Sequence, residues 1–167
     1  MMHPACLQPD SLLAECSQKA ARRSGPGGQH RNKVETAVIL THLPTTTQAE
    51  ANERRSQAEN RAVALHRLRL KLALELRTPA DKASGPSDLW RSRCRKGKIL
   101  IAGEHADYPC LLAELFDFLD DAEYDMSLTA AHFEATASQL TKLIRKYPAA
   151  LQQLNLRRSE LGLNKLV

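Results

Sequence analysis

Two long segments carry apolar residues at the three- and four-residue spacing of a helix that is buried on one side. Residues 53–77 predict a long helix with one packed face and one basic face. Its apolar stripe consists of Ala58, Ala62, Leu65, Leu68, Leu72 and Leu76. Residues 9–23 show a shorter version of the pattern, with Asp10 at the position of an N-cap, and also predict a helix.

The residues between these two helices predict strands. Residues 34–43, VETAVILTHL, alternate in part and are rich in β-branched side chains, so we predict a strand that Pro44 ends. Residues 45–51, TTTQAEA, are a weaker strand candidate that would pair with the first as a hairpin. The long helix would then lie on a small mixed β-sheet.

The second half of the chain predicts mostly helices. Proline, glycine, serine and aspartate cluster in residues 78–88, which indicates a linker, and the basic run RSRCRKGK follows it. A short strand or extended segment comes next, and helical spacing then recurs at residues 108–121, 128–134, 136–148 and 149–163. We therefore predict an α+β fold with a first domain at 1–78, a basic linker at 79–98 and a helical domain at 99–167.

Charge is segregated along the chain, whose net charge is +5. Residues 1–98 hold 18 basic and 9 acidic residues, residues 99–135 hold 9 acidic residues and no Lys or Arg, and residues 136–167 hold 6 basic residues and one acidic. This distribution favours a polyanion partner, and nucleic acid is the leading class. The four cysteines lack the spacing of a zinc site, so we expect no metal. No membrane span or secretion signal is recognised, so we expect a cytoplasmic protein.

Residues 24–33, SGPGGQHRNK, contain three of the seven glycines. Glycine and proline must break the helix that is predicted before them. The run has neither the G-x-x-x-x-G-K-[ST] pattern nor a G-x-G-x-x-G between a strand and a helix, so the nucleotide-binding motifs do not fit. On these residues alone, a flexible turn without chemistry remains the alternative.

The stretch RSGPGGQHRNKVETAVILTHLPT, followed by RRSQAENR at residues 54–61, resembles the Gly-Gly-Gln domain of class I peptide-chain release factors and their small ribosome-rescue relatives. The resemblance covers about residues 9–77. Thr46 departs from it, because the family usually has a glycine at this place in the hairpin. The positions that stand in the family pattern are Gly25, Pro26, Gly27, Gly28, Gln29, Asn32, Lys33, Arg55, Ser56, Gln57 and Asn60.

The resemblance implies hydrolysis of the ester between a nascent peptide and its tRNA in the large ribosomal subunit, with Gly27, Gly28 and Gln29 as the catalytic residues. Both glycines lack a Cβ that would collide with RNA, and they reach backbone angles closed to other residues. Gln29 does not titrate. Its backbone N–H would donate to the tetrahedral oxyanion, and its amide would confine the attacking water. In the family, proton transfer is attributed to the terminal ribose of the tRNA.

The remaining candidates are assigned to RNA binding, because cations and polar groups suit phosphate oxygens. They are Ser24, Gly25, Pro26, His30, Arg31, Asn32 and Lys33 in the loop, Arg55, Ser56 and Gln57 at the start of the long helix, and Arg91, Arg93, Arg95, Lys96 and Lys98 in the basic run. At the helix start, for Arg55, Ser56, Gln57 and Asn60, a capping or bracing role fits as well as RNA contact.

Residues 129–148 also have the pattern of a helix-turn-helix, with a short break near residues 134–136. A plain helical hairpin that fills a core fits the same pattern and is the commoner structure. If the motif binds nucleic acid, RNA is favoured over promoter DNA by the neighbouring domain. The outward side chains of its second helix would be Ser138, Gln139, Lys142, Arg145 and Lys146.

We identify no tripeptide that would read a stop codon. Only about 23 residues precede residues 24–33, which we call the glycine loop. The chain therefore resembles the truncated, codon-independent rescue members of the family. The expected function is codon-independent hydrolysis of peptidyl-tRNA on stalled ribosomes or large subunits. The expected protein is a monomer without a cofactor, and its partners are large-subunit ribosomal RNA and peptidyl-tRNA. The alternative is a non-catalytic RNA- or ribosome-binding regulatory protein, which would have little need of the glycine loop.

Overall fold

The computed structural model describes residues 2–21, 36–79 and 83–167. These residues group into two units, Met2–Leu72 and Ala73–Val167. The first unit holds a three-stranded sheet and most of a long helix, and the second holds further helices and a two-stranded hairpin. The predicted α+β class is confirmed.

The sheet of the first unit is built from three consecutive strands. A 3-10 turn at Pro4–Cys6 and helix α1, Pro9–Ala14, precede strand β1, Cys16–Ala21. Strands β2, Ala37–His42, and β3, Gln48–Ala51, follow, and the order in the sheet is β1-β2-β3. Both pairings are antiparallel. The predicted β2–β3 hairpin is confirmed, and the sheet predicted as mixed is antiparallel throughout the described strands.

The helix predicted over residues 9–23 is wrong beyond Ala14. Each residue of β1 has a partner on β2, from Cys16 opposite His42 to Ala21 opposite Ala37. The apolar residues after Leu13 that suggested a helix, Cys16 and Ala20, have small side chains that bury little surface. Pairing with β2 therefore decides the conformation, since tertiary context overrides a weak local pattern.

Helix α2, Gln57–Glu75, confirms the predicted long helix and corrects its buried face. Leu65, Leu68 and Leu72 are buried as predicted. In the first two turns Ala58 and Ala62 are exposed, and Asn60 is fully buried instead. A stripe drawn from apolar side chains alone could not find a buried amide.

The basic face of α2 contacts the backbone of the edge strand β3. Arg67 Nη1 donates to Glu50 O at 2.7 Å, and Lys71 Nζ donates to Gln48 O at 2.7 Å. The core of the first unit is aliphatic, since residues 1–72 contain no Phe, Tyr or Trp. The strands contribute Val38, Leu40, Ala49 and Ala51 to it. The cations of α2 thus cover backbone groups that an open sheet edge would leave available.

The second unit continues, after the last turn of α2, with a helix and a strand that the sequence analysis missed and with a second strand that overlaps the predicted short strand or extended segment at Ile99 only. Helix α3, Asp88–Arg93, lies at the end of the predicted linker, and the Ser87 side chain caps it by accepting from Trp90 N at 3.0 Å. Strands β4, Cys94–Arg95, and β5, Lys98–Ile99, form an antiparallel hairpin. Segments this short carry no readable periodicity.

Four further helices complete the second unit. Helix α4, Tyr108–Asp121, has the predicted bounds, and α5 spans Met126–His132. Helix α6, Ala137–Arg145, ends before Pro148, which is instead the first residue of α7, Pro148–Glu160. Proline suits the first position of a helix, because the backbone N–H that proline lacks would have no hydrogen-bond partner within the helix at that position.

The core of the second unit is aromatic. All seven Phe, Tyr and Trp residues of the chain lie in residues 73–167. The rings of Trp90 and Phe133 lie 4.1 Å apart, and Trp90 Nε1 donates to Phe133 O at 3.2 Å. The buried Tyr108 hydroxyl donates to Leu143 O at 2.9 Å. Each polar group that these rings bring inside therefore has a partner.

Within the described ranges, no helix has the length and apolar composition needed to cross a bilayer.

Candidate active site

The structure describes the base of the glycine loop. The predicted catalytic residues Gly27, Gly28 and Gln29 lie outside the described residues, as do Ser24, Gly25, Pro26, His30, Arg31, Asn32 and Lys33. The base is formed by Ala21, the last residue of β1, and Ala37, the first of β2, which are direct partners in the ladder. The described ends of the two strands that flank residues 22–35 therefore lie side by side.

Asn60 fixes the return side of this base. Its side chain is fully buried, and its Nδ2 donates to Thr36 O at 2.7 Å and to Arg54 O at 3.0 Å. Its Oδ1 accepts from Arg54 N at 2.9 Å. One amide thus joins the residue before β2 to the segment before α2. A buried amide with these three hydrogen bonds fits the bracing role better than direct RNA contact.

The other residues of the RRSQAENR motif face solvent. Arg55 and Gln57 are exposed, and Ser56 is half-buried just before α2. Glu59 N lies 3.5 Å from Ser56 Oγ, which is the geometry of an N-cap with a long hydrogen bond. Arg55 and Gln57 are therefore accessible to a partner, whereas Ser56 belongs to the helix start.

An ion pair holds the segment that carries Arg55. Arg67 Nη2 lies 2.5 Å from Glu53 Oε1, and Asn52 N donates to Glu53 Oε2 at 2.9 Å. Burial alone would raise the pKa of Glu53, but the backbone hydrogen bonds and the Arg67 charge outweigh it and leave that pKa below its usual value. The carboxylate stays ionised and keeps residues 52–54 beside α2.

A buried histidine that the sequence analysis did not single out links two parts of the first unit. His42 is 1% exposed, its Nε2 lies 3.1 Å from Glu15 Oε2, and its Nδ1 lies 2.7 Å from Thr45 Oγ1. It thereby joins the end of α1 to the β2–β3 turn. Carboxylate, imidazole and hydroxyl form a chain, but the imidazole is closed to a substrate. Its role is therefore to hold the turn.

That turn contains a strained residue. Thr46 has φ 59°, in the left-handed region that favours glycine and disfavours a β-branched side chain. This is the position at which the chain departs from the glycine expected there. Thr46 thus holds a backbone conformation that would cost a glycine less.

The basic run divides into paired and unpaired cations. Arg93 Nη2 lies 2.5 Å from Asp107 Oδ2, and Arg91 makes a 3.4 Å contact with Asp88 Oδ1. The other three cations are exposed and take part in none of the ion pairs found among the described residues. These three are Arg95, Lys96 and Lys98, on the β4–β5 hairpin. The hairpin cations are the ones that a phosphate could reach without breaking an existing pair.

Elsewhere in the described ranges, no group of three or more His, Cys, Asp or Glu side chains is arranged to hold a metal ion. Cys16 and Cys94 are free thiols, and partial burial raises the pKa of both. Burial acts on each sulfur by disfavouring the thiolate, so neither thiol has the lowered pKa of a reactive nucleophile.

Known proteins resemble the part of the chain that contains the glycine loop and its base. A family described as the RF-1 domain matches residues 13–98. The chain is also similar to proteins named peptide chain release factor 2 from Shewanella baltica (strain OS223) and Shewanella woodyi (strain ATCC 51908 / MS32). Each is 45% identical to it over 80 residues, which are 44% of this chain and 22% of the relative. The match thus spans about a fifth of the length of these relatives.

Proposed function

This chain belongs to the RF-1 domain family, and on that premise we propose that it hydrolyses the ester between a nascent peptide and its tRNA on the ribosome. The observation that carries the proposal is the position of Gly27, Gly28 and Gln29 inside the matched residues 13–98. The proposed general activity is release of the peptide in translation. We further propose the specific role of rescuing stalled ribosomes or large subunits in the cytoplasm.

The chemistry asks for shape and hydrogen bonds rather than an acid–base pair. Water attacks the ester carbonyl, the oxygen becomes an oxyanion, and the peptide leaves with a free carboxyl group while the tRNA regains its hydroxyl. A backbone N–H at Gln29 would stabilise that oxyanion, a contact worth about 3–4 kcal/mol in other enzymes. The glycines would let the backbone approach between nucleotides, where a Cβ would collide.

The described base of the loop supports this proposal through positioning. A misplacement of about 1 Å can cost roughly 100-fold in rate. The Ala21–Ala37 pairing and the buried Asn60 amide fix the described residues on either side of the glycine loop. Asn60 is therefore proposed as a positioning residue that acts without touching the substrate.

The RNA contacts of the proposal come from three places. Loop residues 24–26 and 30–33 would line the path to the ester, and Arg55 and Gln57 are exposed at the start of α2. In the basic run, the unpaired hairpin cations suit phosphate contact best, whereas Arg93 would first have to leave Asp107. Such contacts to phosphate fix orientation rather than read sequence.

The proposal is tested by release of labelled peptide from stalled ribosomal complexes, with Gly28→Ala as the diagnostic variant. We expect release by the native chain and a loss of about 100-fold or more in the variant, because the added methyl group displaces Gln29. Gly103→Ala is the matched control, since a Cβ there meets Lys146 only at an ordinary 3.4 Å. If the native chain binds the ribosome but releases no peptide, the hydrolase proposal is wrong and the alternative of a non-catalytic ribosome-binding protein is supported.

The same assay tests codon independence. Complexes that carry a stop codon in the decoding site are compared with complexes that carry a sense codon or no codon. Equal release from all three supports the rescue role. Release that requires the stop codon would reject the rescue role and leave the hydrolase proposal standing.

A further inference from the structure

The strongest unexplained feature of the second unit is the exposed face of α6. Leu140, Leu143 and Ile144 are buried and hold the helix to the unit. Lys142 and Arg145 point the other way and are exposed. The predicted pattern of two consecutive helices is confirmed here, since α5 and α6 are separated by residues 133–136, with Thr136 as the N-cap of α6.

This face of α6 is one wall of an open groove. Ser138, Thr141, Lys142 and Arg145 line it with the spacing of a single helix face. The opposite wall is the C-terminal segment, which contributes Lys165 and the two residues after it. Cations therefore approach the groove from both sides, although α6 and Lys165 are distant in sequence.

Specific hydrogen bonds hold the C-terminal segment in place. Asn155 Nδ2 donates to Leu166 O at 2.8 Å, and Asn155 Oδ1 accepts from Leu166 N at 2.7 Å. Arg158 Nε donates to Asn164 O at 2.8 Å. Lys165 thus lies between two residues whose backbone is fixed by α7. The second wall of the groove is therefore a segment held in place by hydrogen bonds.

The cations of the groove form no salt bridge within the described part of the chain. None of Lys142, Arg145 and Lys165 takes part in an ion pair there, whereas the nearby Arg157 contacts Glu160 at 3.0 Å. Like charges lining one groove repel each other. An anionic ligand would remove that repulsion.

A second basic element lies beside the start of α6. The β4–β5 hairpin contacts α6, and a Cβ at Gly97 in its turn would lie 3.8 Å from Glu134 O in the α5–α6 connection. Arg95 and Lys98 flank this turn, Lys96 lies in it, and all three are exposed. A strand hairpin with cations next to α6 enlarges the surface that a polyanion could cover.

We propose that the groove between α6 and the C-terminal segment binds the phosphate backbone of RNA. Lys, Arg and hydroxyl side chains are the groups that contact phosphates. A protein partner would require buried aromatic or aliphatic anchors, and only Leu166 and Val167 in the lining are apolar. The choice of RNA over DNA rests on the proposed function. All lining residues lie outside the matched residues 13–98, so the site is additional to the family domain.

The experiment is fluorescence anisotropy with a short labelled RNA duplex and the full chain, without ribosomes, over a series of salt concentrations. Binding is thus read even if the chain does not hydrolyse peptidyl-tRNA. We expect Lys142→Gln, Arg145→Gln and Lys165→Gln each to weaken binding and to lower the salt slope by about 1. Combining the three should lower the slope by about 3.

Two controls separate the groove from charge in general. Arg157→Gln removes an exposed cation of α7 that is already paired, and it should leave the slope unchanged. The charge-conserving variant Lys142→Arg with Arg145→Lys and Lys165→Arg should bind as the native chain does. Equal effects of Lys142→Gln and Arg157→Gln would overturn the proposal. So would tighter binding of duplex DNA, or of polyglutamate, than of RNA.

Discussion

The two units of this chain hold their backbones in different ways. The first unit has no Phe, Tyr or Trp and uses buried polar groups: Asn60 at the loop base, His42 at the turn, and Arg69, whose Nε donates to Ala5 O at 2.8 Å. The second unit places its aromatic rings inside, around Trp90 and Phe133, and its buried hydrogen bonds to backbone include those from the Trp90 and Tyr108 rings and from Asp117, which accepts from Thr78 N at 2.9 Å.

The difference follows from what each unit has to fix. Apolar packing is non-directional and tolerates small shifts of one element against another. A buried hydrogen bond has a narrow range of distance and angle, and it costs free energy when it is lost. The unit that carries the glycine loop therefore uses polar contacts where a backbone segment must have one position.

The largest effect that this comparison of the two units predicts is a loss of stability when the aromatic core of the second unit is changed. Phe133→Ala should lower the free energy of unfolding by about 3–5 kcal/mol, because a fully buried ring that packs on Trp90 is replaced by a cavity. Denaturant unfolding followed by Trp90 fluorescence measures this change. Leu128→Ala, at a side chain that is 55% exposed, is the control. A loss below about 1 kcal/mol would show that this core is not stabilised by ring packing.

The second effect concerns the loop base. Asn60→Ala leaves Thr36 O and both backbone groups of Arg54 without their partner, and the loss of each of these three partly buried hydrogen bonds costs about 0.5–1.5 kcal/mol. We expect a loss of about 2–4 kcal/mol and faster hydrogen exchange in residues 36–56. Exchange in α5 and α6 should stay as in the native chain.

The control for this variant is Gln57→Ala, at an exposed neighbour on the same helix. If both variants exchange alike, Asn60 is not a brace. If Asn60→Ala accelerates exchange equally in both units, the polar contacts are not local to the first, and the comparison fails.

The smallest effect is a gain. Thr46→Gly should stabilise the protein by about 0.5–1 kcal/mol, because glycine adopts the left-handed conformation without the penalty of a β-branched residue and gives back only part of that in chain entropy. Thermal unfolding followed by far-ultraviolet circular dichroism measures it. Thr46→Ala should gain less, since alanine keeps a Cβ. A loss of stability with glycine would mean that the Thr46 side chain contributes more than its strain.

The sequence predicts those elements whose apolar pattern is long and uninterrupted. Helix α4 has the expected bounds because Leu and Phe recur through its whole length, and β2 is recognisable from its β-branched residues. Strand β1 could not be predicted in the same way. Its residues are small or polar, and its conformation depends on a partner strand that begins 16 residues later.

The candidate site shows the same limit. The glycine loop and the RRSQAENR motif are recognisable from the sequence alone as resembling release factors, and the family match supports that interpretation. The burial of Asn60, the pairing of Arg93 with Asp107 and the His42 chain all depend on residues far apart in sequence. Lys165 joins α6 only because Asn155 holds the segment that carries it. Contacts of this kind have no periodicity from which to read them.

The pairing of Ala21 with Ala37 also offers a graft point. Because Ala21 and Ala37 lie opposite each other in the ladder, a foreign segment inserted between them would join two positions that are already neighbours, and the strand register would stay intact. Doubling the length of such an insert adds only about 0.6 kcal/mol of closure entropy. The first unit could therefore serve as a small, aromatic-free carrier for peptides chosen to enter narrow spaces lined by nucleotides.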